Sequence, residues 1–130
     1  MMQVETKPYK ILDLASGCWI KSMSLAQADE NVYVTCLDSA DVLEVARNLA
    51  IRMNVADRIN FVTCDLLRDD LGQNCFQAAL LRQITDYLQP EQNIDLFRRV
   101  HQALMDGGSL IIDCPIEQSE PGEMAILISL

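Results

Sequence analysis

Three acidic residues stand where apolar segments of the sequence end. Asp13 lies within YKILDL, Asp38 closes VYVTCLD, and Asp65 follows INFVTC. At the position of Asp38, 21 residues after Gly17, a carboxylate can accept hydrogen bonds from ribose hydroxyls. The small residues Ala15, Ser16 and Gly17 follow the first acid and would let backbone amides approach a ligand. If the three acids meet at one place, they predict a site for a nucleoside-type ligand.

Each acid alone also has an ordinary structural explanation. Asp38 or its neighbour Ser39 could cap a following helix, because side-chain oxygens bind the free amides of a first turn. Asp65 could equally be a solvated turn residue. The ligand hypothesis therefore depends on the elements that bring the acids together.

Short apolar segments alternate with helical patterns along the chain. The predicted strands are Tyr9–Leu14, Val32–Leu37, Ile59–Cys64, Phe76–Leu81 and Ser109–Cys114. Helices are predicted over residues 19–29, from Asp38 or Ser39 to Asn54, and from Pro90 to Gly107, the last with Ile94, Phe97, Val100 and Leu104 as its buried face. The apolar tail PGEMAILISL predicts the start of another helix.

This alternation predicts a doubly wound α/β fold with a mainly parallel sheet covered on both sides. In such folds a ligand binds beyond the carboxyl ends of the strands, next to strand one. Arg82, which follows strand four, joins the three acids at that edge. A dinucleotide is disfavoured, because the last glycine of G-x-G-x-x-G would fall at Ile20.

Length and composition limit the other possibilities. The 130 residues fit a single domain, 1–130, and the net charge of −9 opposes binding to nucleic acid. No apolar run is long enough for a bilayer and no secretion signal opens the sequence, so we expect no membrane contact and a cytoplasmic location. The five cysteines lack metal-ligand spacing, so no metal is expected, and most are predicted to be buried hydrophobes.

The segments ILDLASG, VTCLD, FVTCDLL and FQAALLRQITDYLQPEQNIDLFRRVHQALMDGGSLIIDCP carry a resemblance to a known family. Over essentially its whole length the sequence resembles the class I S-adenosylmethionine-dependent methyltransferases, and among them the small-molecule O-methyltransferases. The resemblance implies a Rossmann-like core with strand order 3-2-1-4-5 and S-adenosylmethionine as cofactor. It also implies methyl transfer to a small-molecule acceptor, on oxygen.

The same resemblance implies roles for individual residues. Asp38, with Ser39 beside it, would bind the ribose hydroxyls, and Asp65 and Leu66 would flank the adenine. The segment from Asp13 through Ala15, Ser16 and Gly17 would contact the amino acid part, with Arg82 at the same edge.

The sequence departs from the family pattern at the first turn and at the general base. Ala15 and Trp19 stand where glycines are common, and the indole of Trp19 could either crowd the cofactor or pack on the core. Asp86, or its neighbour Thr85, stands where the O-methyltransferases carry a histidine. Asp86 could act as a base only if burial raised its pKa, and it could instead cap a helix. His101 is predicted to be a packing or surface residue.

The family continues past strand five into a helix and two more strands, which this sequence is predicted to lack. An apolar flank at strand five would then be exposed. Two explanations stay open: the sequence is part of a longer protein, or a second chain covers the flank, for example in a homodimer joined through the apolar C-terminal segment. Two functions also stay open: a methyltransferase, or a binding module that keeps the fold without turnover.

Overall fold

Strands and helices alternate along the chain as its apolar pattern predicts. The computed structural model describes residues 7–14, 19–82, 88–115 and 123–129. In chain order the elements are β1 (Tyr9–Leu14), α1 (Trp19–Ala28), β2 (Val32–Asp38), α2 (Ala40–Arg52), a 3₁₀ turn (Ala56–Arg58), β3 (Ile59–Thr63), β4 (Phe76–Arg82), α3 (Pro90–Ala103), β5 (Leu104–Pro115) and β6 (Glu123–Ser129).

The strands form one sheet in the order β3-β2-β1-β4-β5-β6. Strands β1 to β5 are parallel to their neighbours, and β6 pairs antiparallel with β5. The predicted order 3-2-1-4-5 and the Rossmann-like, doubly wound class are therefore confirmed.

Helices cover both faces of this sheet because consecutive strand residues point to opposite sides. In β1, Ile11 belongs to a cluster with Met23 of α1 and Leu43 of α2. Its neighbour Leu12 belongs to a second cluster, which holds Leu96 of α3. The core thus lies in two layers, and the carboxyl ends of the strands emerge between them.

Local sequence signals explain where α2 and α3 begin and end. Ser39 occupies the N-cap of α2 with extended backbone, and Asn54 adopts φ 60° just past its end. Asparagine tolerates this left-handed conformation better than most residues, so it terminates helices. Pro90 begins α3, and the Gln92 side chain accepts a hydrogen bond from the Gln89 amide at 2.8 Å. The boundaries of α2 and the start of α3 agree with the predictions, whereas α3 ends at Ala103 rather than at Gly107.

The prediction of a helix in the C-terminal tail is wrong. Residues Glu123–Ser129 form β6, which pairs with β5 from Ser109↔Ser129 to Pro115↔Glu123. A short apolar run does not distinguish helix from strand by its period, and here the free edge of β5 supplies the pairing partner. That edge is covered within the chain, which removes the reason given for a homodimer.

Two smaller predictions also need correction. Strand β5 begins at Leu104 rather than Ser109, because Leu104 pairs with Phe76 across a register shift in β4. Ile94 is 59% exposed, while Leu96 and Val100 are fully buried. The buried face of α3 is therefore rotated relative to the predicted one.

Gly107 and Gly108 lie near the start of β5, and substitutions there test the local backbone conformation. Gly107 has φ +78° and open space around it, whereas a Cβ on Gly108 would lie 2.8 Å from the Met105 carbonyl oxygen and 3.2 Å from that of Gln77. We expect Gly107→Ala to lower the free energy of unfolding by about 1 kcal/mol through backbone strain. Gly108→Ala should cost more, about 2–3 kcal/mol, because two backbone atoms must move. Urea unfolding of both variants measures this order, and equal or reversed costs would contradict it.

Within the described ranges, no helix combines the length and apolar character needed to cross a membrane.

Candidate functional site

The register of the sheet places the ends of four strands along one edge. Leu14 of β1 pairs with Leu37 of β2 on one side and with Leu81 of β4 on the other. Asp38 follows Leu37 and pairs with Thr63, the last residue of β3. The residues that follow these positions therefore share the carboxyl edge of the sheet, which is where the predicted site lies.

Asp38 is half-buried at the end of β2, directly before α2. Its Oδ1 accepts a hydrogen bond from the Ser39 amide at 2.8 Å, and its carbonyl oxygen accepts one from the Cys64 amide at 3.0 Å. Ser39 holds the N-cap position of α2 without a side-chain capping bond. Asp38 is therefore tied to β3 through its backbone, and its Oδ2 accepts no hydrogen bond within the described part of the chain.

Asp65 lies two residues beyond β3 in a loop closed on itself by hydrogen bonds. The Asp65 amide donates to Oδ2 of Asp69 at 2.7 Å, and the Asp69 amide donates to the Asp65 carbonyl oxygen at 2.8 Å. Oδ1 of Asp65 accepts from the Leu67 amide at 3.0 Å, and the Asp65 side chain is 53% exposed. The loop holds the carboxylate at the sheet edge, where Oδ2 of Asp65 also lies 3.9 Å from Nε of the exposed Arg68.

The structure describes Leu66 with its side chain and Arg82 through its backbone only. Leu66 is 7% exposed and belongs to the apolar cluster under α3. Arg82 is the last residue of β4, paired with Asp113 of β5, and its side chain lies outside the described residues. Leu66 therefore follows Asp65 with its side chain turned toward the core.

Asp13 differs from the other two acids because it is almost fully buried. It is 1% exposed and accepts a hydrogen bond on Oδ2 from the Ser22 hydroxyl of α1 at 2.7 Å. In the sheet it is the direct neighbour of Cys36. The carboxylate thus joins the end of β1 to the first turns of α1, on either side of residues 15–18.

The remaining predicted site residues lie outside the described part of the chain. They are Ala15, Ser16, Gly17 and Asp86. Trp19 begins α1, and its side chain is likewise not described.

The thiols of the buried Cys36 and the half-buried Cys64 lie near this edge and have raised pKa values. Burial raises the pKa of Cys36 far above its ordinary value, and the carboxylates of Asp13 and Asp38 raise it further. Burial also raises the pKa of Cys64, and the Asp69 carboxylate adds to that rise. Both thiols stay protonated at neutral pH and are poor nucleophiles. The buried role predicted for the cysteines holds for Cys36, whereas Cys75 is exposed. No group of three acidic, cysteine or histidine side chains in the described ranges could hold a metal ion.

Ser22 and Arg99 are two polar residues of this region that the sequence patterns did not single out. Arg99 lies on α3 and donates to the carbonyl oxygens of Leu66 and Asp69 in the Asp65 loop. A weak signal existed for Ser22, since it stands four residues before the buried Ala26 and so shares its helix face. His101, in contrast, is exposed on α3.

A doubly wound fold with acids at the carboxyl edge beside strand one is typical of α/β proteins that bind nucleotides or nucleosides. Comparison with known families narrows this class. Residues 11–108, about three quarters of the chain, match the family described as "Methyltransferase domain". The chain belongs to the methyltransferase domain family.

Individual relatives agree with this assignment. L-tyrosine C(3)-methyltransferase of Streptomyces lavendulae is 26% identical over 103 residues, which are 79% of this chain and 28% of that protein. A crystal structure of a Nostoc punctiforme PCC 73102 protein, provisionally named an O-methyltransferase, has a TM-score of 0.78 at 28% identity and covers 88% of this chain and 35% of its own. The S-adenosylmethionine-dependent methyltransferase SibL has a TM-score of 0.75 at 25% identity, with coverage of 86% and 33%.

The chain therefore spans about a third or less of the length of these relatives. In this chain the matched residues 11–108 include Asp13, Asp38 and Asp65. Family membership, together with the likeness to S-adenosylmethionine-dependent methyltransferases, implies S-adenosylmethionine as the cofactor.

Proposed function

We propose that this chain is the cofactor-binding domain of a methyltransferase that acts on a small molecule. The observation that carries the proposal is the placement of Asp38. Its carboxylate stands at the end of β2, next to the end of β1. One oxygen accepts from the Ser39 amide, and the other accepts no hydrogen bond from the residues that the structure describes. A carboxylate fixed in this way can accept hydrogen bonds from two ribose hydroxyls.

Other residues of the edge take the roles that the family resemblance implies. Ser39 supports Asp38 at the ribose, Asp65 and Leu66 flank the adenine, and Arg82 lines the same edge. Ala15, Ser16 and Gly17 contact the amino acid part, and Asp13 supports the end of β1 through its hydrogen bond with Ser22. S-Adenosylmethionine supplies an activated methyl group, so the protein's main contribution is to hold the acceptor in line with it.

We also propose that residues 1–130 form a single domain of a longer protein. The acceptor atom that we propose is oxygen. The resemblance of LLRQITDYL to small-molecule O-methyltransferases and the likeness to the Nostoc protein support oxygen. The Streptomyces relative, in contrast, is named a C-methyltransferase. A further proposal is a cytoplasmic location.

The test is isothermal titration of the chain with S-adenosylmethionine and S-adenosylhomocysteine. We expect binding at micromolar concentrations, the scale of roughly −8 kcal/mol. Absence of heat at millimolar ligand would instead favour the alternative, a binding module that keeps the fold and has lost the cofactor.

Asp86 is proposed as the general base. In the full-length protein, Asp86→Asn should keep cofactor affinity and lower methyl transfer roughly 100-fold or more, because positioned general bases contribute about 10²–10⁴-fold. Transfer is measured with radiolabelled S-adenosylmethionine and a phenolic acceptor, and NMR of the product separates O-methyl from C-methyl. Unchanged turnover would remove Asp86 from the catalytic step.

A further inference from the structure

A single side chain of α3 holds the loop that carries Asp65. Arg99 is 15% exposed, and its guanidinium donates through Nη1 to the Asp69 carbonyl oxygen at 2.8 Å and through Nη2 to the Leu66 carbonyl oxygen. Its Nε donates to the Asp95 carboxylate, one helical turn earlier, at 2.9 Å. The Asp95 pair balances the charge of a largely buried guanidinium, and the two other nitrogens are committed to the loop.

The contact with Leu66 is transmitted to Asp65 through one peptide unit. The Leu66 carbonyl and the Leu67 amide belong to the same planar group, so fixing the carbonyl direction also fixes the N–H direction. The Leu67 amide donates to Oδ1 of Asp65 at 3.0 Å. Arg99 therefore sets the orientation of the donor that holds the Asp65 carboxylate, and its positive charge strengthens that donor by polarising the peptide.

The contact with Asp69 acts on the other end of the same loop. Arg99 binds the Asp69 carbonyl, while the Asp69 carboxylate accepts from the Asp65 amide at 2.7 Å. The Asp65 amide is thus held by Asp69, whose carbonyl binds Arg99 directly. The Asp65 carboxylate is held by the Leu67 amide, which shares a peptide unit with the carbonyl that binds Arg99.

We propose that Arg99 is a positioning residue that aims the Asp65 carboxylate at the exocyclic amino group of the adenine. The inference rests on the proposed function, since it assigns Asp65 to the adenine end of the cofactor. The guanidinium of Arg99 donates to the loop and to Asp95, so Arg99 acts through the loop. It therefore controls selectivity for the base, in addition to affinity.

The experiment compares S-adenosylhomocysteine with S-inosylhomocysteine, in which a carbonyl oxygen replaces the amino group. A carboxylate accepts from the amino group and is repelled by the carbonyl oxygen, so the wild-type chain should prefer the adenine compound roughly tenfold or more. Arg99→Gln should lower this preference toward the value of Asp65→Ala. Arg99→Lys should restore part of it, since one donor to the loop remains. Arg98→Gln, the same change at the exposed neighbouring position of α3, is the matched control and should keep the wild-type preference.

The ratio of the two dissociation constants separates positioning from general stability, because a merely damaged fold weakens both ligands equally. If Arg99→Gln weakens both ligands by the same factor, the ratio is unchanged. That result would overturn the inference while leaving the proposed function in place. If the wild-type chain binds neither compound, the proposed function fails, and the adenine role of Asp65 and Arg99 fails with it.

Discussion

Asp38→Ala is expected to weaken S-adenosylhomocysteine binding by roughly tenfold to a hundredfold, since hydrogen bonds to a charged group contribute about 1.5–3 kcal/mol. The fold should survive this change. Asp38 is half-buried, its side chain accepts from the Ser39 amide, and the backbone bond from Cys64 to its carbonyl is independent of the side chain. Titration calorimetry measures the affinity, and thermal unfolding without ligand measures the stability.

Asp41→Ala is the matched control for this prediction. Asp41 is an exposed carboxylate in the first turn of α2, three residues further along the chain. Removing it changes the net charge by the same amount, so both variants share any general electrostatic effect on a ligand. Asp38→Asn separates charge from shape, because the amide oxygen can still accept from Ser39. If Asp38→Ala and Asp41→Ala bind S-adenosylhomocysteine equally well, Asp38 does not belong to the site.

The sequence patterns predict the parallel core well because the signals there are local and strong. β1 reads as a buried strand, and Asn54 and Pro90 mark helix boundaries through their own backbone preferences. Alternating strands and helices then permit few topologies. The family resemblance implies the strand order 3-2-1-4-5, and the sheet agrees with it.

The errors arise where tertiary pairing outweighs local preference. The tail residues of β6 carry no period of their own, and their conformation depends on the free edge of β5. Likewise, Ile94 and Leu96 both fit an apolar stripe on α3. Packing against the sheet buries Leu96 and leaves Ile94 exposed. Neither the pairing with β5 nor the packing of α3 can be predicted from the local pattern of a single sequence.

In the candidate site, too, some residues can be predicted from the sequence and others depend on tertiary packing. Asp38 and Asp65 can be found from sequence because parallel strands bring their carboxyl ends to one edge. Their supporting partners cannot be found in this way. Arg99 is 33 residues from Leu66, and its role depends on how α3 lies over the loop after β3. The candidate ligand-binding residues are thus easier to predict here than the residues that hold them in place.

Ser22→Ala is expected to lower the free energy of unfolding by about 2 kcal/mol, because it removes a donor from a buried charged group. Ser22 is fully buried and Asp13 is 1% exposed, so water does not readily replace the lost hydroxyl. Urea unfolding measures the loss. The same bond joins the two sides of residues 15–18, so S-adenosylhomocysteine affinity should fall as well.

Ser24→Ala is the matched control, since Ser24 is exposed on the same helix two residues away. There the change should be neutral or slightly stabilising, because alanine has the higher helix propensity. Ser22→Thr keeps the hydroxyl and adds a methyl group to a packed position. It should retain the hydrogen bond at a cost of about 1 kcal/mol or more from overpacking. Equal stabilities of the Ser22→Ala and Ser24→Ala variants would show that the Asp13 carboxylate does not depend on Ser22, and the fixed geometry that we assign to the end of β1 would need another cause.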